Sequence, residues 1–184
     1  SIASGDWFGY MTHIEGQDLY DLELGNSNAK TMTLSFYVKS SVAGTWAGAI
    51  RTKGSSPDYC YPYNYTISNA NTWEKKTITV PGPTSGTWVG GRSEGMCVWF
   101  DLGSGSDYHA TANQWHGSNR TGPSASPFIA NASATASASA TTPSDSETVT
   151  VRESSATFFS IPVPTRGESD CKSGTAWRCI FAPI

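Results

Sequence analysis

Apolar and polar side chains alternate along one segment in the first quarter of the chain. Within 31–39, Leu34, Phe36 and Val38 fall on one side of an extended backbone, and the more polar residues between them fall on the other. A period of two is typical of a β-strand with one buried face. We therefore predict a strand over 31–39 whose apolar side faces a core.

Other segments have a similar extended character and are separated by Gly, Pro, Asn and Ser, which favour turns. We predict strands at 45–52, 61–67, 73–80 and 96–102, with further strands at 7–11, 18–24, 148–151 and 157–161. No segment shows the period of a capped helix. Short strands at turn-separated intervals are typical of a β-sandwich or jelly roll. The predicted fold class is therefore an all-β, antiparallel jelly-roll β-sandwich with a low-complexity C-terminal extension.

The composition changes in the last third of the chain. Within 133–146 nearly every residue is Ser, Ala, Thr or Pro, and no apolar side chain is larger than Ala. Such a segment buries too little surface to offset the entropy of ordering it. We predict a jelly-roll module over 1–119, a linker or an extended, partner-held segment over 120–148, and a tail over 149–184. This tail either supplies closing strands or docks on a partner.

Charge and hydropathy exclude two classes of partner. Charged residues make up only 15% of the chain, and the formal net charge is −3. Nucleic-acid binding needs a basic stripe to neutralise phosphates, so we predict no nucleic-acid partner. The chain has no run of 18 apolar residues, so we also predict no membrane insertion. The 7 Trp, 8 Tyr and 7 Phe are enough to support a folded core.

Five segments of the first 115 residues form a set of motifs: HIEGQDL (13–19), AKTMTLSFYVKS (29–40), NTWEKKTITVP (71–81), SGTW (85–88) and VWFDLGSGS (98–106). Together they resemble a jelly-roll module of tail-fibre and other virion-surface proteins of tailed bacteriophages. The resemblance implies a galactose-binding-like or carbohydrate-binding-like jelly roll, usually non-enzymatic, in receptor-contacting or structural virion proteins. The chain departs from this family in its closing strand, for which the nearest match is 156–161.

Side chains on the strand faces that turn away from the core are candidates for ligand binding. Since Val98 and Phe100 supply the core face of their strand, Trp99 is expected to point outward. A ring stacks on the C–H face of a sugar, while amide, guanidinium and carboxylate groups bind its hydroxyls. The predicted binding face consists of Tyr37, Lys39, Arg51, Asn64, Trp99 and Asp101. The alternative is that Trp99 packs beneath a loop or against a partner.

Aromatic residues assigned to loops form a second candidate set for ligand binding. This set consists of Trp46, Tyr59, Tyr108 and Trp115. Ordinary packing within a small sandwich is the alternative interpretation of these four rings.

We predict no catalytic residues, no metal and no cofactor. Glycosidases need two carboxylates at a defined separation, and the acidic residues of 18–23 lack the spacing used by jelly-roll glycosidases. The chain also contains no G-x-S-x-G elbow, P-loop or HExxH motif. His109 and His116 are interpreted as incidental loop residues rather than as metal ligands.

The four cysteines are widely spaced and include no CxxC pair, which argues against a zinc site. Cys60 and Cys97 lie in predicted strands and are expected to be buried thiols. Cys171 and Cys179 close a short loop and are a possible disulfide in oxidising surroundings.

The expected function is that of a non-enzymatic virion-surface or extracellular module, in a tail fibre or appendage. It would bind host-surface carbohydrate or other virion proteins, as a homo-oligomer such as a trimer, in which repeated copies supply avidity. One alternative is a purely structural capsid or tail decoration protein. A second is a polysaccharide-degrading enzyme or its carbohydrate-binding accessory module.

Overall fold

The computed structural model describes residues 3–52 and 59–123 together with the backbone of three further strands. The strands in this part of the chain are β1 (Trp7–Glu15), β2 (Met32–Ser40), β3 (Gly44–Thr52), β4 (Cys60–Ile67), β5 (Glu74–Val80), β6 (Glu94–Ser104), β7 (Ala136–Ser139), β8 (Ser146–Glu153) and β9 (Thr157–Pro164). Short 3-10 helices span Gly16–Leu22 and Ser106–Tyr108. Neither is long or apolar enough to cross a bilayer, and no other helix occurs in the described residues.

The strands form two sheets. A four-stranded sheet has the order β1-β6-β3-β4, and all its neighbours are antiparallel. A five-stranded sheet has the order β5-β2-β7-β9-β8, and only its β7–β9 pair is parallel. The prediction of an all-β, mostly antiparallel fold is confirmed.

The core lies between the two sheets, as in a β-sandwich. Along β2, Leu34, Phe36 and Val38 are buried, as the alternation predicts. The Phe36 ring meets Tyr65 of β4 and Phe100 of β6 edge to face, with centroids 5.1 and 5.0 Å apart. Such edge-to-face pairs add to the free energy gained from burial, so β2 is anchored against two strands of the other sheet.

The predicted strand at 18–24 is wrong, because most of this segment belongs to the 3-10 helix Gly16–Leu22. The two leucines of this helix, Leu19 and Leu22, are three residues apart and both are buried. A 3-10 helix repeats every three residues, so this spacing places both side chains on its core-facing side. The acidic residues between and after them remain exposed.

The last third of the chain contributes three strands to the five-stranded sheet. Within the predicted linker or extended segment, β7 pairs with the C-terminal half of β2. The strands predicted at 148–151 and 157–161 lie inside β8 and β9. Cys171 and Cys179, the predicted disulfide pair, lie outside the described residues.

Candidate ligand pocket on the outer face of the four-stranded sheet

The register of the four-stranded sheet aligns side chains in rows across its outer face, the face turned away from the core. In the order β1, β6, β3, β4, the rows are His13–Cys97–Arg51–Cys60, Met11–Trp99–Ala49–Pro62 and Gly9–Asp101–Ala47–Asn64. Three of the residues next to the large Trp99 ring are small, namely Gly9, Ala47 and Ala49. This pattern leaves room for the Trp99 indole to lie across the sheet.

Trp99 points outward, as predicted, yet it is only 1% exposed. Its ring lies over Gly9, where an added Cβ would come within 2.2 Å of the indole. Trp7 meets the ring edge to face at 5.3 Å, and the Arg51 guanidinium lies 5.8 Å from the ring centroid. The ring is therefore packed against strand residues of the same chain, whereas the alternative given for Trp99 was packing beneath a loop or against a partner.

Residues 104–123 cover much of this outer face and also pair with the outer edge of β4. The Cys60 N–H donates to the His116 carbonyl at 2.9 Å, and the His116 N–H donates to the Cys60 carbonyl at 2.8 Å. The Asn113 N–H donates to the Pro62 carbonyl at 2.9 Å. Covering an edge in this way satisfies backbone groups that would otherwise be open to strand addition.

A buried polar chain fastens the covering segment to the sheet. The Ser104 hydroxyl donates to the Asp101 carboxylate, and the Thr121 hydroxyl donates to the Ser104 oxygen at 2.8 Å. All three residues are buried. Asp101 therefore accepts a hydrogen bond from the Ser104 hydroxyl of the same chain and is not exposed to an external ligand.

A pocket of about 270 Å³ lies between the sheet face and the covering segment. It lies near the lower end of the range for small-molecule sites, roughly 300–1,000 Å³. Its walls combine aromatic rings with a guanidinium and an amide. The lining residues used below are Trp7, Arg51, Trp99, Tyr108 and Asn119, with His13, Glu94 and Cys97 forming one end.

The end formed by His13, Glu94 and Cys97 brings three metal-binding side chains together. His13 Nδ1 lies 2.5 Å from Glu94 Oε1. One ligand atom from each of the three residues lies within 4.8 Å of the other two. The prediction of no metal considered Cys97 only as a cysteine without a CxxC partner, and it did not consider His13 or Glu94, which are far apart in the sequence.

The predicted binding face is divided between the two sheets. Arg51 and Trp99 line the pocket together with Tyr108 from the loop set. Tyr37 and Lys39 lie on β2, on the opposite side of the molecule, where the Lys39 ammonium is 5.4 Å from the Trp73 ring centroid. Because these residues belong to different sheets, they do not form one surface.

The predicted residues Trp46, Trp115 and Asn64 also lie outside the pocket lining. Trp46 lies in β3, within the strand predicted at 45–52, and is 1% exposed in the core, so its inclusion among the loop aromatics is wrong. Trp115 packs against Tyr61 and Trp88, with centroids 5.4 and 5.7 Å apart, and its indole N–H donates to a backbone carbonyl. This is the packing alternative considered for the loop aromatics. Asn64 is exposed at the β4 end of its row.

The two loop histidines bind backbone carbonyls at separate places. His109 Nε2 lies 2.9 Å from the Ser104 carbonyl, and His116 Nε2 lies 2.8 Å from the Thr111 carbonyl. Both rings therefore help to shape the covering segment.

Sequence reasoning did not select Trp7, His13, Glu94 or Asn119 for the site. Trp7 begins a predicted strand, and His13 lies just beyond the predicted end of that strand. The missing information is the pairing of β1 with β6, since only this register places His13 opposite Cys97.

Three groups with shifted pKa values lie outside the pocket lining. Burial raises the pKa of Tyr61 and of Tyr65, and the Asp101 charge adds to the effect at Tyr65. On the other sheet, hydrogen bonds from the Lys76 ammonium and from the N–H groups of Asn69 and Ser68 lower the pKa of Glu74 to about 2. These shifts therefore affect the pH dependence of stability rather than the chemistry of the pocket.

The pocket offers a partly exposed ring, a guanidinium, an amide and an imidazole–carboxylate pair. This set suits a small polar ligand that also has an apolar face. Comparisons with protein-family models, curated proteins and solved structures find no match for this chain.

Proposed function

We propose that this chain is a non-enzymatic carbohydrate-binding module with a jelly-roll fold, carried on the surface of a tailed-phage virion. Its ligand is a glycan of the host surface, bound in the pocket on the outer face of the four-stranded sheet. The observation that carries this proposal is the position of Trp7, a large ring 51% exposed at the mouth of a pocket that also contains Arg51 and Asn119.

The chemistry of the pocket supports a sugar ligand. The open face of Trp7 suits stacking on sugar C–H groups, while Arg51 and Asn119 supply donors and an acceptor for hydroxyls. The edge-to-face contact with Trp99 already restricts the Trp7 ring before a ligand binds. Ligand binding therefore costs less side-chain entropy than it would with a freely rotating ring. A pocket of about 270 Å³ has the size of a single sugar unit.

The non-enzymatic part of the proposal is supported by the carboxylates of the site. Glu94 is the only carboxylate among the described residues that line the pocket. Glycoside hydrolysis generally uses two carboxyl groups that flank the scissile bond. The virion setting and the jelly-roll connectivity are supported by the resemblance of the five sequence segments, and several copies on one particle would strengthen weak single-site binding.

The experiment is a glycan array and a cell-adsorption assay with the full chain displayed as a multimer. Trp7→Ala is compared with Phe8→Ala, because these neighbours are similarly exposed (51% and 47%) and only Trp7 lines the pocket. We expect Trp7→Ala to weaken binding about 5- to 30-fold, which corresponds to roughly 1–2 kcal/mol. We expect Phe8→Ala to bind normally. No glycan binding by the wild type, or equal loss in both variants, contradicts the proposal.

A second candidate function is docking to a neighbouring virion protein through β1. This strand is at the edge of its sheet, and Phe8 and Met11 are exposed on it beside Trp7. An apolar edge strand is open to pairing with another chain. In the same pair of variants, this function predicts loss of particle assembly in Phe8→Ala.

A further inference from the structure

We propose that His13, Glu94 and Cys97 form a zinc site at one end of the pocket. This inference goes beyond carbohydrate binding and does not depend on it. The three side chains supply an imidazole nitrogen, a carboxylate oxygen and a thiolate sulfur, and one atom from each lies within 4.8 Å of the others. Zn²⁺ takes these three kinds of donor, and three protein ligands plus water complete a tetrahedral site.

Two features of the backbone place the three ligands on one face, namely a direct pair in the β1–β6 ladder and a β-bulge at Gly95. His13 and Cys97 are direct partners in the antiparallel β1–β6 ladder. Glu94 is three residues before Cys97, an odd separation that puts side chains on opposite faces of a regular strand. A register shift between Ile14 and Glu15 leaves Gly95 without a partner in β1. This bulge turns Glu94 to the same side as Cys97.

Close packing explains why the bulge contains glycine. A Cβ at Gly95 would come within 2.5 Å of the Gly16 Cα. A larger residue would therefore push β6 away from the start of the 3-10 helix. Bulges of this kind commonly re-aim a side chain next to a functional site, and here the side chain is a potential metal ligand.

Zinc binding requires only a small movement of two of the ligands. His13 Nδ1 and Glu94 Oε1 are 2.5 Å apart, whereas two light-atom ligands of tetrahedral zinc are about 3.3 Å apart, as follows from bonds of roughly 2.0 Å. Zinc binding would therefore increase the distance between the two atoms by about 0.8 Å. His13 is only half-buried, so this adjustment needs a side-chain rotation rather than a backbone change.

Cys97 and Cys60 do not form a disulfide. The nearest cysteine in the row of Cys97 is Cys60, which lies beyond Arg51 and so two strand spacings away, about 10 Å. This is too far for a disulfide. The positive charge of Arg51 opposes entry of a cation, whereas metal binding itself displaces the thiol proton of Cys97.

The donor set selects the metal. Calcium and magnesium prefer oxygen ligands only, whereas imidazole and thiolate favour zinc and similar transition metals. The open fourth position faces the pocket, where water or a ligand hydroxyl completes the coordination.

The test uses the full chain after removal of metal with a chelator. Zn²⁺ is titrated by calorimetry, and Co²⁺ replaces it for absorption spectroscopy. We expect one zinc per chain and a thiolate-to-cobalt charge-transfer band. His13→Ala, Glu94→Gln and Cys97→Ser should each weaken binding by more than about 100-fold, since loss of an outer-shell partner alone costs roughly 10- to 100-fold. The matched control, Cys60→Ser, should bind normally and keep the cobalt band.

A measurement on the wild-type chain covers the case in which a variant does not fold. Zinc should slow alkylation of Cys97 by a thiol reagent, mapped by mass spectrometry, and leave that of Cys60 unchanged. The proposal is overturned by equal alkylation of Cys97 with and without zinc. It is also overturned by zinc binding that persists in Cys97→Ser and disappears in the Cys171→Ser/Cys179→Ser double variant.

Discussion

The two sheets differ in what covers their outer faces. On β2 of the five-stranded sheet, the outward residues Thr33, Ser35, Tyr37 and Lys39 are all partly exposed and alternate with a buried set. On β6 of the four-stranded sheet, the outward residues Cys97, Trp99 and Asp101 are as buried as the core side. A strand that is buried on both faces must be covered on both sides. Here the core covers one side of β6, and the segment 104–123 covers the other.

This comparison shows where binding chemistry can be built in the described part of the molecule. The outward side chains of β2 are partly exposed, so a ligand there would meet solvated groups. The covered face of the other sheet forms a pocket with walls from both the sheet and the covering segment. Desolvated and positioned groups of this kind bind small molecules more effectively than exposed ones.

The largest test of the comparison is removal of the outward aromatic ring from each sheet. Trp99→Ala should lower the free energy of unfolding by about 3–5 kcal/mol, because it removes a fully buried ring. Tyr37→Ala should cost less than about 1 kcal/mol, since its ring is partly exposed. Urea unfolding of both variants measures the difference. Equal losses would mean that the outer face of β2 is covered to the same degree.

A smaller effect is expected from removal of one serine hydroxyl on each sheet. Ser104→Ala removes a donor to the buried Asp101 carboxylate and an acceptor for Thr121, and should cost about 1–3 kcal/mol. Ser35→Ala removes two long contacts of 3.4 Å, to the Lys76 carbonyl and the Thr77 hydroxyl, and should cost less than about 0.5 kcal/mol. The same unfolding assay compares them. Similar values would show that the buried chain does not fasten the covering segment.

The smallest expected effect concerns acid stability at the edge of the five-stranded sheet. The pKa of Glu74 is about 2 in the folded chain, below its ordinary value of 4.5. The stabilisation from its ionised form is therefore complete above about pH 4.5 and is lost as the pH falls from 4.5 towards 2. Glu74→Gln should have a shallower decline in unfolding midpoint over this range, measured by thermal unfolding. An unchanged slope would contradict the assignment.

The sequence pattern predicts the strands well, because the strands depend on local alternation and on turn residues. Leu34, Phe36 and Val38 are buried as expected. The strand prediction at 18–24 is wrong because the buried residues Leu19 and Leu22 follow the period of three of a 3-10 helix, not the period of two of a strand. Trp46 was included among the loop aromatics although it alternates with Gly48 and Ile50 on the core side of β3.

The site was only partly predictable, because it depends on pairing between distant strands. Trp99 and Arg51 were selected from their own strands, and both line the pocket. His13 and Glu94 needed the β1–β6 register and the bulge at Gly95, neither of which leaves a local pattern. The small residues Gly9, Ala47 and Ala49 are the sequence feature that indicates a large ring lying across the outer face. Interiors are close-packed, so the space above small residues is filled by a large neighbour.

The edge position of β1 couples the pocket to local opening of the fold. In the described residues, β1 pairs with β6 alone, and it carries both Trp7 and His13. If β1 detaches transiently from β6, both side chains leave the pocket together. A pocket that holds a ligand through these residues therefore cannot be open at β1. Any ligand held by these residues stabilises the closed state by mass action, and amide hydrogen exchange along β1 slows in proportion to ligand saturation. Amide hydrogen exchange along β1 would therefore report the binding of any ligand that Trp7 and His13 hold.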